Sequence, residues 1–189
     1  MSDDERRHEV GHTGAMQVPF GAELTDGVIA LRPLSALDAA AHLAGEDHEL
    51  VMWLNGGLGT SETVRSHIER VGMMWSAGGP TFAFGIRSTT DEVLNGTIDI
   101  QLAQPYATEA QANLAFGLYP AWRGAGLATR AVLLAMRFLA ERTSIDQALI
   151  RVDPANQASS SVARRAGFRL IGRVAENAGE LDWFAKDVR

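Results

Sequence analysis

Apolar and polar positions along this chain alternate with two different periods, and the changes of period mark its elements. Val28-Ile-Ala-Leu-Arg-Pro-Leu34 reads as a first strand stopped by Pro33. Ser35 then opens a short helix over residues 39–44. Val64, Ile68, Val71 and Trp75 recur at helical spacing, which predicts a helix over 61–75 with one apolar stripe. Thr60 or Ser61 supplies its N-cap oxygen, and Gly78-Gly-Pro80 ends it. Strands are expected at 81–87, 93–102 and 113–119; in the last, Leu114, Phe116 and Leu118 share a face. A long helix over 126–141 follows, with Leu127, Ala131, Leu134 and Phe138 along one side. The chain closes with a strand at 148–153, a helix at 159–166, and strands at 168–173 and 181–188. That order is a mixed α/β layer arrangement.

Composition narrows the function classes more than it changes the fold. At 189 residues with 46% hydrophobic positions, one domain over residues 16–189 is expected. Residues 1–15 read as a charged flexible tail, and Met16 is an alternative natural start. A net charge of −6 argues against nucleic-acid binding, which needs clustered Lys and Arg. No apolar run is long enough for a membrane span, and the polar first residues do not read as a secretory signal. Cysteine is absent, which excludes disulfides and thiolate chemistry and permits a cytoplasmic location. No metal site is expected: His8 and His12 have i, i+4 spacing but lack the glutamate of a zinc-binding helix.

The segment that carries chemistry is Arg123-Gly-Ala-Gly-Leu-Ala-Thr129, between the strand at 113–119 and the longest helix. Gly124 and Gly126 let a backbone approach a bulky anion, and the first N–H groups of a helix have no internal partners. Arg123 and Arg130 are positioned to add charge-assisted contacts. By itself the pattern equally describes a tight strand-to-helix turn. A P-loop is excluded, since no lysine follows the second glycine. A dinucleotide fingerprint is excluded too, because Thr129 stands where its third glycine belongs.

Two motifs in order make the segment specific. Arg123-Gly-Ala-Gly126-Leu-Ala128 resembles the R/Q-x-x-G-x-G/A signature of the GNAT N-acetyltransferase superfamily. Some thirty residues on, Asn156-Gln-Ala-Ser159 and Gly167-Phe168 resemble the N-x-A-S…GF region of its ribosomal-protein N-terminal (alanine) acetyltransferase subgroup. The resemblance extends over residues 28–188. It implies a mostly antiparallel sheet of six to seven strands with helices on both faces, and acetyl-CoA or another acyl-CoA as donor. It implies an amine acceptor: a protein N-terminus, a small amine or an aminoglycoside-like compound. A homodimer is plausible from the resemblance alone. A succinyl-CoA-using enzyme and a CoA-binding regulatory module without transfer activity are the alternatives.

Carried onto this sequence, the resemblance assigns pantetheine contacts to the main chain of Gly117, Leu118 and Tyr119. The pyrophosphate falls on the amides of Gly124, Ala125, Gly126, Leu127, Ala128 and Thr129. Asn156 contacts the cofactor arm or caps the following helix. Main-chain N–H near Leu118 supports the oxyanion, and Ser159 is the candidate proton donor to sulfur, with a helix-start role as the alternative. Glu176 is the first candidate base, with Asp182, Glu109 and Asp99 behind it. Trp53, Trp75, Phe82 and Phe84 are candidates for the acceptor pocket or the core. His42, His48 and His67 are expected to be surface or half-buried residues without a catalytic role. No tyrosine follows Tyr119, so a C-terminal tyrosine acid, used by many relatives, is not available.

Overall fold

The computed structural model describes residues 23–176 and 179–189; the expected tail, Met16, His8 and His12 lie outside them. Eight strands form one sheet: β1 (Leu24–Thr25), β2 (Ile29–Pro33), β3 (Thr81–Ser88), β4 (Leu94–Gln101), β5 (Gln111–Leu118), β6 (Gln147–Val152), β7 (Arg169–Glu176) and β8 (Gly179–Asp187). Their order across the sheet is β1-β2-β3-β4-β5-β6-β8-β7, and every pairing is antiparallel except β5 with β6. Eight strands exceed the six to seven expected. The addition is β1, two residues paired to Leu31 and Ala30, too short to leave a periodic signal.

Among the described residues five α-helices accompany the sheet: α1 (Ala39–Gly45), α2 (His48–Leu50), α3 (Ser61–Ser76), α4 (Leu127–Arg142) and α5 (Gln157–Arg165). The sequence does not announce α2. It runs on as a π-helical turn over Val51–Asn55 and stops at Gly56, whose φ of 69° is the left-handed conformation glycine tolerates. Its irregular hydrogen bonding breaks the 3.6-residue period that would have revealed it.

Helices cover both faces of the sheet, as the alternation of the strands requires. One face carries Phe82, Phe84, Ile98, Ile100, Leu114, Ile150 and Phe184, packed under the buried side of α4 and under Ala163 of α5. On the other, Leu34 and Ala83 meet Val64, Ile68 and Val71 of α3. Thr60 caps α3 with its side-chain oxygen, 3.2 Å from Thr63 N. Trp75 and Phe82, weighed above as pocket residues, are core residues, as is Phe84. The Trp75 indole donates to Ala83 O at 2.9 Å, and its ring stands edge-on to Phe82 and Phe84.

Phe138 of α4 closes that aromatic group, with ring centroids 5.1 Å from Phe82 and 5.5 Å from Phe84. Such pairs add about 0.5–1.5 kcal/mol each to the burial of their area. Phe138→Ala is therefore expected to lower stability by about 3–5 kcal/mol, read as a fall in the urea midpoint. A change below about 1 kcal/mol would remove this cluster from the centre of the core.

Candidate functional site

The site begins where the sheet opens. β5 and β6 pair only at Gln111↔Gln147, Ala112↔Ala148 and Asn113↔Leu149, whereas β6 and β8 stay paired as far as Val152↔Asp182. Beyond Asn113, β5 therefore has a neighbour only in β4. Tyr119 N donates to Asn95 O at 2.9 Å, toward β4. Main-chain groups alternate along a strand, so Gly117 also turns to β4, while Phe116 and Leu118 turn into the gap. Of the three residues expected to hold pantetheine through their main chain, only Leu118 opens to the gap; Phe116 joins it.

The glycine segment sits at the wide end of this gap. Gly124 and Gly126 have φ of 79° and 78°, and a Cβ built at either would meet nothing within 4 Å. Glycine is required here by the left-handed backbone rather than by crowding. Gly126 occupies the N-cap of α4 without a side-chain cap, so the first N–H groups of that helix have no partner among the described residues. Leu127 and Ala128 bury their side chains in the core and offer only their amides.

Neither arginine expected beside an anion is free. Arg123 spans Asp47 through two nitrogens, at 2.7 and 2.8 Å, reaches Glu49 at 2.5 Å, and donates from Nε to Leu118 O at 2.9 Å. Asp47 also caps α2 by accepting from Leu50 N, and the guanidinium holds its carboxyl below the usual range. Arg123 is thus a strut joining α2 to the end of β5, a correction to its role as a phosphate contact. Arg130 pairs with Asp26 at 2.7 Å. Arg165 of α5 is exposed on the cleft and makes no ion pair among the described residues.

A cleft of about 1400 Å³ runs from Gly124 and Gly126 past Asn156 and Ser159 to the far face of the sheet. Asn156 caps α5, its Oδ1 accepting from Ser159 N at 3.0 Å. Ser159 is half-buried, and no hydrogen bond to its hydroxyl is found among the described residues. On the far face, Thr97, Asp99 and Gln101 of β4 stand beside Gly117, Ala115 and Asn113 of β5. Their wall is formed by His42 of α1, His67 of α3, and Trp53 and Leu54 after α2. A Cβ on Gly117 would overlap the end of the Leu50 side chain, which would then have to shift.

The four candidate bases fare differently. Glu176 accepts from Arg151 Nη1 with both oxygens, at 2.9 and 2.8 Å, and from the Trp183 indole at 3.2 Å. Arg151 in turn lies 3.4 Å over the Tyr106 ring. Asp182 is bound by Arg173 at 2.7 and 3.1 Å, and Glu109 is exposed away from the cleft lining. Asp99 alone faces the cleft without a hydrogen bond or ion pair among the described residues. Burial pushes its carboxyl up to about 6, against a smaller downward pull from Arg70. Glu176 is therefore corrected to a structural partner of Arg151, and Asp99 takes first place.

His42 and His67 are half-buried and His48 is exposed, within what was expected, but the first two are not isolated. His42 Nδ1 lies 2.9 Å from the Tyr119 hydroxyl, and the two imidazoles stack with centroids 6.4 Å apart. Burial lowers both imidazoles, so both are neutral near pH 7. Burial and the nearby Asp38 and Glu46 make Tyr119 hold its proton tightly. Sequence reasoning gave Asn113, Gln101 and Thr97 no role. Their signal was strand alternation, which sets them on one face with Asp99 once β4 and β5 are in register.

The acetyltransferase (GNAT) domain family matches residues 29–169. The chain belongs to this family. Its fold aligns with RimL, the ribosomal L7/L12 alpha-N-protein acetyltransferase in complex with coenzyme A, at TM-score 0.76 and 20% identity, covering 88% of this chain and 98% of that one. Mycobacterium smegmatis RimJ in complex with CoA-disulfide aligns at TM-score 0.76 and 21% identity, covering 88% and 86%. The microcin C7 self-immunity acetyltransferase MccE, in complex with acetyl-CoA and AMP, aligns at TM-score 0.74 and 18% identity, covering 91% and 98%. No curated protein matches the sequence. Among the described residues no group of His, Asp and Glu could hold a metal, and no helix is long and apolar enough to cross a membrane.

Asp99 has a stability consequence. Its folded-state pKa of about 6 lies above the ordinary 3.8, so the folded protein holds a proton that the unfolded chain has lost between those values. Stability from this group is present below that window and is lost as pH rises through it. Asp99→Asn is expected to be more stable than wild type at pH 7.5, by roughly 1–2 kcal/mol given partial access of water. The advantage should vanish near pH 4. Urea unfolding at the two pH values checks this; a variant less stable at pH 7.5 would show that the carboxylate is not desolvated.

Proposed function

We propose that this chain transfers an acetyl group from acetyl-CoA to a primary amine, on a protein N-terminus or a small molecule, by direct attack in a ternary complex. One observation carries the reading: the gap between β5 and β6 connects free amides at Gly124–Thr129 with an unpartnered carboxyl at Asp99. A donor laid in that gap has its pyrophosphate on the amides of Gly124 to Thr129, where the helix dipole favours negative charge. Arg165, without an ion pair among the described residues, is available to a further phosphate. Phe116 offers strand-like main-chain bonds to the pantetheine amides, and Leu118, whose carbonyl already accepts from Arg123, offers its N–H to the thioester end.

Chemistry follows from what the gap holds. The Leu118 N–H supports the developing oxyanion, which needs a preset donor more than a strong one. Asp99 accepts a proton from the incoming ammonium. A base with pKa near 6 is ionised at neutral pH while still holding a proton well enough to be useful. The amine nitrogen bonds to the thioester carbon, the carbon–sulfur bond breaks, and the thiolate takes up a proton. A thiol has a pKa of about 8.5, so help from the Ser159 hydroxyl at this step is modest. Asn156, with Oδ1 committed to Ser159 N, keeps its Nδ2 for the donor arm.

Thiol release measured with acetyl-CoA against a panel of peptides and small amines tests the reading. The wild-type rate at subsaturating amine is expected to rise with pH through about 6, the pKa of Asp99. Asp99→Asn should lower it by about 10²–10⁴ and remove that limb, while calorimetry finds acetyl-CoA bound as before. Gly126→Val should weaken acetyl-CoA binding at least tenfold by straining the amide loop. Binding without thiol release for any amine would mark a CoA-binding module instead, and higher rates with succinyl-CoA would replace the acetyl donor.

A further inference from the structure

Four side chains form a patch on the far face of the sheet, where the cleft ends. Gln101 of β4 is opposite Asn113 of β5, and two residues along, Asp99 is opposite Ala115. Positions i and i+2 share a face, so all four point the same way, and all four line the cleft. Asn113 is 4% exposed. Its Nδ2 donates to Gln101 Oε1 at 2.9 Å, which fixes the amide plane. Its Oδ1 is buried and accepts nothing from the described residues. A native protein rarely leaves a buried carbonyl oxygen unpartnered, so this one needs an explanation.

Asp99, the diagonal neighbour of Asn113, likewise has no partner among the described residues. Diagonal positions on paired strands lie roughly 7–8 Å apart, with their Cβ atoms somewhat closer, a span that one nitrogen hydrogen-bonded to both side chains can bridge. Ala115, with only a methyl group, leaves room for it. Both waiting atoms are hydrogen-bond acceptors, so the patch is complementary to a group made of N–H donors.

We propose that Asn113 Oδ1 seats the amine of the acceptor beside Asp99 and selects primary amines over N-alkylated ones; this rests on the N-acyltransferase reading. A primary ammonium gives one N–H to Asp99, one to Asn113 and has one left over. Once Asp99 has taken its proton, the neutral amine keeps two N–H bonds. Held by the one on Asn113 Oδ1, the nitrogen turns about that bond and brings the lone pair freed at Asp99 onto the thioester carbon. After the carbon–nitrogen bond forms and the carbon–sulfur bond breaks, the remaining extra proton leaves nitrogen for the thiolate. An N-methyl ammonium has only two N–H groups. One goes to Asp99, and the other, held on Asn113, is the proton that must leave for the thiolate, so the buried oxygen is left unpaired as the amide forms.

The test compares the best acceptor from a panel of peptide amides and small primary amines with its N-methyl counterpart, using acetyl-CoA as donor. Wild type is expected to favour the primary amine by tenfold or more in kcat/KM. Asn113→Leu should raise KM for the primary amine at least tenfold and bring the preference close to one, with acetyl-CoA affinity unchanged by calorimetry. Asn113→Asp, which keeps an oxygen at the site, should retain most of the preference. If Asn113→Leu does not fold, Asn113→Ser takes its place with the same loss expected. A preference and KM unchanged in the folded variant overturn the seat while leaving N-acyl transfer intact. A wild type that binds acetyl-CoA but acylates no amine overturns both.

Discussion

The parting of β5 from β6 after Asn113↔Leu149 is the constraint on which the rest of the molecule depends. A parallel pair abandoned after three registered residues leaves main-chain donors and acceptors that a folded protein would otherwise satisfy. Here they face a cleft that water or an extended ligand can fill. The parting is held open from both sides. β6 remains tied to β8 to its last residue, Val152, and β5 remains tied to β4 up to Leu118. Arg123 then fastens the end of β5 to α2 through Leu118 O and Asp47.

Several local features make sense only against that opening. Gly124 and Gly126 adopt left-handed backbone so that the chain can turn from β5 into α4 with its amides facing the wide end. The neighbouring close fits are as specific. Gly45 lies so near the Tyr119 ring that a Cβ would overlap it, and a Cβ at Gly117 would overlap Leu50. These contacts press α1 and α2 against the same end of β5, and they bring His42 and His67 to the wall opposite Asp99. The negative charge of the chain acquires a local meaning here: the patch around Asp99 and Asn113 holds oxygen acceptors without a bonded cation, while Arg151 is already taken by Glu176.

What was legible in the sequence was legible for physical reasons. Helix α3 showed itself because Val64, Ile68, Val71 and Trp75 must share one buried stripe. β5 showed itself because Leu114 and Leu118 alternate into the core below α4. Family membership was legible because a left-handed turn before a helix and an Asn-capped helix start each demand particular residue types at fixed spacing. In contrast, α2 and β1 are held by tertiary contacts and leave little periodic trace.

The catalytic candidates divide along the same line. Sequence by itself determined the fold family, the left-handed glycine turn before α4 and the list of acidic candidates, since each depends on residue types local to a short segment. Only the tertiary structure separated those acids by their surroundings, because proton affinity depends on partners far along the chain. Glu176 and Asp182 look equivalent to Asp99 as letters, but arginines bind them, while burial without a partner raises Asp99. Arg123 reversed its expected role for the same reason: Asp47 and Glu49 lie more than seventy residues earlier. Asn113 gained one when pairing with Gln101 turned a strand residue into the floor of a site. Spacing determines which backbone can form; register and long-range charge determine what its side chains can do.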